Sequence, residues 1–160
     1  TRLQVEHGVT EALTGIDIVK AQIRLASGMS LASVLPDSPQ PEGHAIEARI
    51  YAEDPVKFFP SPGNLAKFVL PTAANVRVET GYKEGMQVTP FYDPLLAKVI
   101  ISDVDRAAAI KTLVEALESC EITGLKSNIP ALITILESDQ FQSGQVHTGL
   151  TSELIHKKST

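Results

Sequence analysis

The stretch His44-Ala45-Ile46-Glu47-Ala48-Arg49-Ile50-Tyr51-Ala52 decides the fold, because its residues favour extended structure and it opens a series of short strand-like segments. Four more such segments follow, at residues 65–70, 76–80, 86–89 and 95–102. They are separated by short turns, of which Phe59-Pro60-Ser61-Pro62-Gly63-Asn64 is the most strongly marked. This spacing predicts an antiparallel sheet.

Helical patterns come after the strands. Residues 105–119 place Ile110, Leu113, Val114 and Leu117 on one apolar side, which predicts an amphipathic helix. Asn128 is a candidate cap for a second helix that reaches Leu136, and a short helix is expected over residues 151–156. With strands first and helices later, the segment is predicted to be an α+β domain with helices flanking the sheet.

The part of the chain before residue 44 differs in composition. Residues 29–43 contain Pro36, Pro39 and Pro41, which is typical of a linker. Before them, apolar residues recur at helical spacing from Ile16 to Ala26. We therefore expect two units, at residues 1–40 and 41–160.

Residues 1–7 alternate polar and apolar side chains and are predicted to form a strand. Arg2, Gln4 and Glu6 would then share one face, where an arginine can bind an oxyanion, a glutamate can take a proton and a glutamine can orient a ligand. The alternative is a solvated strand face with an incidental ion pair. Because the chain begins without Met inside this pattern, we interpret it as a piece of a longer protein.

Two further groups of polar residues are ambiguous from spacing alone. Arg49 shares a strand face with Glu47, which is typical either of a structural ion pair or of a site. Tyr92 and Asp93 stand before Pro94 in a tight bend, where the Asp side chain can bind nearby backbone. The four histidines have no metal-ligand spacing and no phosphate-binding loop is present, so no metal site is predicted within the chain.

Composition argues against several classes of binding partner and cellular compartment. The net charge of -5, the scattered basic residues and the absence of Trp argue against a nucleic-acid partner. No apolar run approaches the roughly 20 residues that cross a bilayer, so no membrane partner is predicted. The single Cys120 cannot form an internal disulfide and favours a reducing compartment, which we take to be the cytoplasm, or the mitochondrial matrix in a eukaryote.

Five ordered motifs over essentially the whole chain resemble those of biotin carboxylases. They are Thr1-Arg2-Leu3-Gln4-Val5-Glu6-His7-Gly8-Val9-Thr10-Glu11, the stretch from Gly43 to Pro55, Phe59-Pro60-Ser61-Pro62-Gly63, Tyr92-Asp93 and Gly124-Leu125-Lys126-Ser127-Asn128. The resemblance implies that residues 41–160 form the biotin carboxylase carboxy-terminal domain, preceded by the last strand and helix of an ATP-grasp domain.

The resemblance also implies roles for individual residues. Glu6 matches the general base that deprotonates bicarbonate, Arg2 matches a residue that binds this anion, and Gln4 and the backbone of Val5 complete its pocket. Arg49 matches the arginine that stabilises the biotin enolate. Tyr92 and Asp93 match positions near the biotin ring.

The family reaction uses ATP, Mg and bicarbonate to carboxylate biotin on a carrier domain. The implied partners are therefore a biotin carboxyl carrier domain and a carboxyltransferase component, as in acetyl-CoA carboxylase of fatty acid biosynthesis, pyruvate carboxylase or urea carboxylase. The family places the residues that hold ATP and Mg upstream of Thr1, so this chain alone is expected to be inactive.

Two residues depart from the family pattern. Gly8 stands where many members have Pro, which predicts a looser start of the following helix. Arg77 matches a homodimer-interface residue, but Ala74 replaces a bulky aromatic of some members, so a tight dimer is not predicted. Two other interpretations remain open: another ATP-grasp ligase such as a carbamoyl-phosphate synthetase, and a non-catalytic interaction domain in which Arg2, Glu6 and Arg49 lie far apart.

Overall fold

The computed structural model describes residues 2–35 and 37–156, within which helices and strands are mixed. The helices are α1 (His7–Thr14), α2 (Ile18–Ala26), α3 (Leu31–Val34), α4 (Arg106–Glu118), α5 (Ile129–Leu136), α6 (Asp139–Gln142) and α7 (Leu150–His156). The strands are β1 (His44–Tyr51), β2 (Gly63–Asn64), β3 (Lys67–Val69), β4 (Val76–Thr80), β5 (Gln87–Val88), β6 (Leu95–Asp103) and β7 (Glu121–Thr123). None of the helices in these ranges is long and apolar enough to cross a bilayer.

The main sheet is antiparallel and has the strand order β1-β6-β4. His44 pairs with Asp103 and Ile50 with Ala97, and a bulge follows Ile50. β2 pairs with β5, and β3 with β7, in two small antiparallel sheets. The prediction of an antiparallel sheet with flanking helices is confirmed.

The two faces of the main sheet are covered by different helices. One face packs against α4, where Ile50, Val99 and Ile101 meet Leu113 and Leu117 in the core. Each of these fully buried side chains contributes about 1.5–3 kcal/mol relative to an exposed position. The opposite face is covered by α1. Because side chains alternate along a strand, this second face carries Glu47, Arg49 and Lys98.

The predicted strand over residues 1–7 is wrong in the described part of the chain. Residues 2–6 have no strand partner there and turn into α1, with His7 N donating to Gln4 O at 3.2 Å and Val9 N to Glu6 O at 3.1 Å. An extended segment needs a neighbouring strand for its backbone groups, which the described residues do not supply. Thr1 lies outside these residues.

The helix before the linker forms where its periodicity predicts. It begins at Ile18, and the side chain of Asp17 accepts a hydrogen bond from Lys20 N at 2.7 Å. Asp17 is therefore the N-cap of this helix. The predicted linker contains the short helix α3, and Pro36 lies outside the described residues.

Gly43 ends the linker at a position that requires glycine. Its φ is +72°, and a Cβ there would collide with the carbonyl oxygen of Asp103. A side chain would therefore push the linker away from the pairing of β1 with β6.

Gly8 permits the close approach of α1 to the sheet. It is buried inside the first turn of α1, and a Cβ would collide with Cδ1 of Ile100. Ile100 is itself 1% exposed, so its side chain has little room to move. The missing side chain serves close packing of α1 on the sheet, and the looser start of this helix stays a prediction.

Gly8→Val is expected to destabilise the protein by about 1–3 kcal/mol, because added methyl groups overpack a buried contact. Urea denaturation followed by circular dichroism measures the change. Gly81→Val is the matched control, since nothing lies within 4 Å of a Cβ at Gly81. Equal stability of the two variants would contradict the role of Gly8 in docking α1. Adding Ile100→Ala to Gly8→Val is expected to recover part of the loss.

Candidate active site

Glu6 and Arg49 meet although they are separated by 43 positions in the chain. Arg49 Nη2 donates to Glu6 Oε2 at 2.8 Å, and Arg49 Nε donates to Glu47 Oε1 at 2.9 Å. The side chains of Arg49 and Glu6 are 34% and 55% exposed, so a small molecule can reach both. The contact contradicts the interpretation in which Glu6 and Arg49 lie far apart.

The local environment shifts both groups towards their charged forms. A hydrogen bond from its own backbone N–H, joined by the bond from Arg49, holds the pKa of Glu6 below its usual range. The hydrogen bond to Glu47 raises the pKa of Arg49. Glu6 is therefore ionised at neutral pH and can accept a proton, but its surroundings make it a weaker base than an ordinary carboxylate.

Arg2, Gln4 and Val5 of the amino-terminal motif influence Glu6 either through their charge or through hydrogen bonds of their backbone. Arg2 is exposed and close enough for its charge to lower the pKa of Glu6, after the hydrogen bonds from the Glu6 backbone and Arg49. The carbonyl oxygen of Gln4 accepts a hydrogen bond from His7 Nδ1 at 2.8 Å, and that of Val5 accepts one from Lys98 Nζ at 3.0 Å. These two bonds hold the backbone just before Glu6.

Tyr92 and Asp93 form the predicted bend at the start of β6. Asp93 Oδ1 accepts a hydrogen bond from Leu95 N at 2.9 Å, and Tyr92 is 81% exposed. Burial, helped by the charge of Asp93, raises the pKa of Glu53. Among the described residues, neither Tyr92 nor Asp93 forms a hydrogen bond with Arg49, so the structure does not join them to the Glu6–Arg49 pair.

Sequence reasoning missed the part that Lys98 plays at this site. Lys98 is 7% exposed, donates to Val5 O and forms an ion pair with Glu79. The sequence does single out this residue, because Lys98 is the one charged residue in the apolar run from Leu95 to Ile101. A lysine in the middle of a buried strand normally has a polar partner.

His7, Glu11 and Glu79 place ligand atoms within 4.8 Å of one another. Their carboxylates are already engaged by cations. Glu11 Oε2 accepts from Arg77 at 2.6 Å, and Glu79 pairs with Arg77 and Lys98. Although partial burial opposes it, the hydrogen bond from Lys98 lowers the pKa of Glu79. The cluster is thus a charge-balanced contact between α1 and the sheet.

Comparison with protein families matches two models to this chain. The family described as "Biotin carboxylase C-terminal domain" matches residues 47–153, about two thirds of the chain. A second model, "Carbamoyl-phosphate synthase L chain, ATP binding domain", matches residues 1–34. This shorter match agrees with an ATP-grasp segment before the linker.

Individual relatives cover nearly the whole chain. A biotin carboxylase of Halalkalibacterium halodurans is 48% identical over 99% of the chain and 35% of the relative. A pyruvate carboxylase subunit of Methanothermobacter thermautotrophicus is 41% identical over 96% of the chain and 31% of the relative. The chain therefore spans about a third of the length of these curated relatives.

A solved structure extends the agreement to three dimensions. The biotin carboxylase domain dimer of Hydrogenobacter thermophilus 2-oxoglutarate carboxylase, in complex with MgADP, ADP and bicarbonate, has a TM-score of 0.92 and 43% identity. The match covers 98% of this chain and 34% of that chain. Fold, motifs and relatives agree: the chain belongs to the biotin carboxylase C-terminal domain family.

Proposed function

We propose that the protein containing this chain is a biotin carboxylase, which uses ATP and bicarbonate to carboxylate biotin on a carrier domain. The observation that carries the proposal is the 2.8 Å contact between Glu6 and Arg49, which brings a proton acceptor and an anion-binding group to one exposed position. The biotin carboxylases among the relatives, and the bicarbonate in the complex of the Hydrogenobacter protein, support it.

Glu6 is the general base that takes the proton from bicarbonate, and Arg2 binds the bicarbonate anion. Gln4 and the backbone of Val5 complete this pocket. Bicarbonate is a far weaker acid than a carboxyl group. The surroundings of Glu6 lower the pKa of its carboxyl group, which widens the gap between the two acids. The proton transfer therefore depends on placement and on immediate consumption of the deprotonated bicarbonate by phosphorylation, rather than on an unusually basic Glu6.

Arg49 stabilises the negative charge that develops on the ureido oxygen of biotin. Its Nη2 donates to Glu6 and its Nε to Glu47, and the side chain is still 34% exposed. The exposed part of the guanidinium suits an anionic oxygen, which it stabilises through a charge-assisted hydrogen bond. Tyr92 and Asp93 contact the biotin ring in this proposal, and the exposure of Tyr92 leaves it accessible to a ligand.

The match to the ATP-binding domain model ends at residue 34 and the match to the C-terminal domain model begins at residue 47, which supports a domain division between these two residues. We place residues 1–40 at the end of an ATP-grasp domain and residues 41–160 in the carboxy-terminal domain. ATP and Mg would be held by the part of the ATP-grasp domain upstream of residue 1, and ATP supplies the phosphoryl group that activates bicarbonate.

The partners are a biotin carboxyl carrier domain, a carboxyltransferase component and a second copy of the protein. The dimer of the Hydrogenobacter domain supports a homodimer, and the exposed Arg77 matches the interface position. The final carboxyl acceptor is acetyl-CoA, pyruvate, urea or another small molecule, and acetyl-CoA would imply a role in fatty acid biosynthesis in the cytoplasm. Relatives that act as pyruvate or mitochondrial methylcrotonoyl-CoA carboxylase subunits name the competing acceptors and the competing compartment, the mitochondrial matrix.

The test uses the full-length protein with MgATP, labelled bicarbonate and biotin. We expect ATP cleavage that requires bicarbonate, and label that appears on biotin. ATP cleavage without bicarbonate dependence, or carbamoyl phosphate formed when ammonia replaces biotin, would contradict the proposal. The 160-residue chain tested alone is expected to cleave no ATP.

A further inference from the structure

Lys98 lies beneath the Glu6–Arg49 pair and contacts the supports of both residues. Its Nζ donates to Val5 O at 3.0 Å, and this carbonyl belongs to the peptide group that leads directly into Glu6. The same Nζ lies 4.0 Å from Glu47 Oε2, and the other oxygen of Glu47 accepts from Arg49 Nε at 2.9 Å. One ammonium group therefore touches the supports of the base and of the arginine.

The sheet register explains how Lys98 reaches these groups. Lys98 pairs directly with Arg49 on one side and with Glu79 on the other. Directly paired residues project from the same face of a sheet. Lys98 thus stands between β1 and β4 on the face that α1 covers, with its ammonium aimed at the segment before α1.

The charges around Lys98 make this arrangement hard to replace. The side chains of Lys98 and Glu47 are only 9% and 5% exposed. Glu47 Oε2 has no hydrogen-bond partner in the described ranges, and the Lys98 ammonium 4.0 Å away adds a second cation to the one that Arg49 supplies at Oε1. A buried carboxylate that keeps only one of its two cations, with one oxygen left without a partner, is disfavoured and tends to move or take up a proton. Removing Lys98 therefore disturbs Glu47 and, through it, Arg49.

We propose that Lys98, acting with Glu47, is a positioning residue for the reaction of the Glu6–Arg49 pair. It touches no substrate. It holds the backbone before Glu6 and, through Glu47, the guanidinium of Arg49, so that base and arginine keep their relative placement when a ligand arrives. This role rests on the proposed function, since the reaction of Glu6 with bicarbonate is the step that the placement serves.

The competing explanation is that Lys98 only stabilises the sheet. A stabilising residue changes how much protein is folded, but the folded molecules keep the same KM for each substrate. A positioning residue changes the bicarbonate step and leaves ATP binding intact. The change in kcat/KM for bicarbonate, compared with the change in KM for ATP, therefore separates the two explanations.

The experiment compares Lys98→Met, Lys98→Arg and the control Lys111→Met in the full-length protein. Lys111 is 79% exposed, and its ion pair among the residues that the structure describes is with Glu115. We expect Lys98→Met to lower kcat/KM for bicarbonate by about 10- to 100-fold, because a small misplacement of reacting groups costs this much. The KM for ATP should stay within about twofold of the wild-type value, since ATP binds elsewhere in the proposal. Lys98→Arg keeps the cation and should recover part of the loss.

Glu47→Gln is a second variant, which removes the negative charge next to Lys98. It decides the proposal if Lys98→Met does not fold. Its amide oxygen can still accept from Arg49, but it offers Lys98 no charge. We expect the same selective loss in kcat/KM for bicarbonate.

Two results overturn the positioning role while leaving the proposed function intact. One is a bicarbonate kcat/KM in the folded variants equal to that of Lys111→Met, and the other is an equal change in the parameters for ATP and bicarbonate. If the wild-type protein shows no bicarbonate-dependent ATP cleavage, the proposed function fails and the positioning role fails with it.

Discussion

Glu6→Gln is expected to lower bicarbonate-dependent ATP cleavage by the full-length protein about 100-fold or more, the usual contribution of a well-placed general base. Glutamine has nearly the same shape, and its amide oxygen can still accept the hydrogen bond that Arg49 Nη2 makes to Glu6 at 2.8 Å. It cannot take a proton from bicarbonate. The variant therefore removes the chemistry while keeping the contact.

Steady-state kinetics with bicarbonate varied at saturating ATP provide the measurement. The matched control is Glu115→Gln, which removes a carboxylate that is 64% exposed and lies on α4. It should behave as wild type. Near-normal turnover of Glu6→Gln would remove Glu6 from the role of base, and the contact with Arg49 would then be a structural ion pair.

Asn128→Ala is expected to destabilise the fold by about 2–4 kcal/mol, because it leaves two backbone groups without partners. Asn128 occupies the N-cap position of α5 as predicted, but its side chain makes no capping bond within the described residues. Instead its Oδ1 accepts from Tyr51 N at 2.9 Å and its Nδ2 donates to Arg49 O at 3.0 Å. Its own backbone N donates to Tyr51 O at 3.2 Å. Asn128 thus pairs with the outer edge of β1 as a neighbouring strand would.

Hydrogen exchange at the amide of Tyr51, together with urea denaturation, tests this role. The exchange should accelerate in Asn128→Ala, since the amide loses its acceptor. Asn75→Ala is the control, because Asn75 is exposed and its side-chain hydrogen bond within the described ranges is a long one, 3.5 Å, to Asp103. It is expected to change stability by less than about 0.5 kcal/mol. Unchanged exchange at Tyr51 would contradict the edge-pairing role of Asn128.

Most of the elements that sequence periodicity predicted bury a face in the core, whereas α2 leaves Val19 and Ile23 exposed. Residues 76–80 coincide with β4, and β1, β6, α2, α4 and α5 lie within two residues of their predicted bounds. Alternation or helical spacing reports burial, and these elements supply most of the core. β2, β7, α3 and α6 were missed, and each has only two to four residues, in which a period hardly shows. α1 was also missed, although it has eight residues.

The site was predictable only in part, for a physical reason. The family resemblance singled out Arg2, Glu6 and Arg49, and the structure brings Glu6 and Arg49 into contact. The assumed strand for residues 1–7 was wrong, because alternation is satisfied equally well by a segment without a partner strand. The support by Lys98 depends on the register of β6 against β1 and β4, which local sequence does not specify.

The contact between Glu6 and Arg49 joins residues from opposite sides of the segment 29–43. For protein engineering, this means that neither half is an independent cassette. Consider a chimera that takes residues 1–34 from one relative and residues 47–153 from another. It must preserve the contacts between the two parts, which are Lys98 with Val5 O and Arg77 with Glu11. Recombination at the linker is therefore constrained by the compatibility of the two docked surfaces more than by the length of the linker.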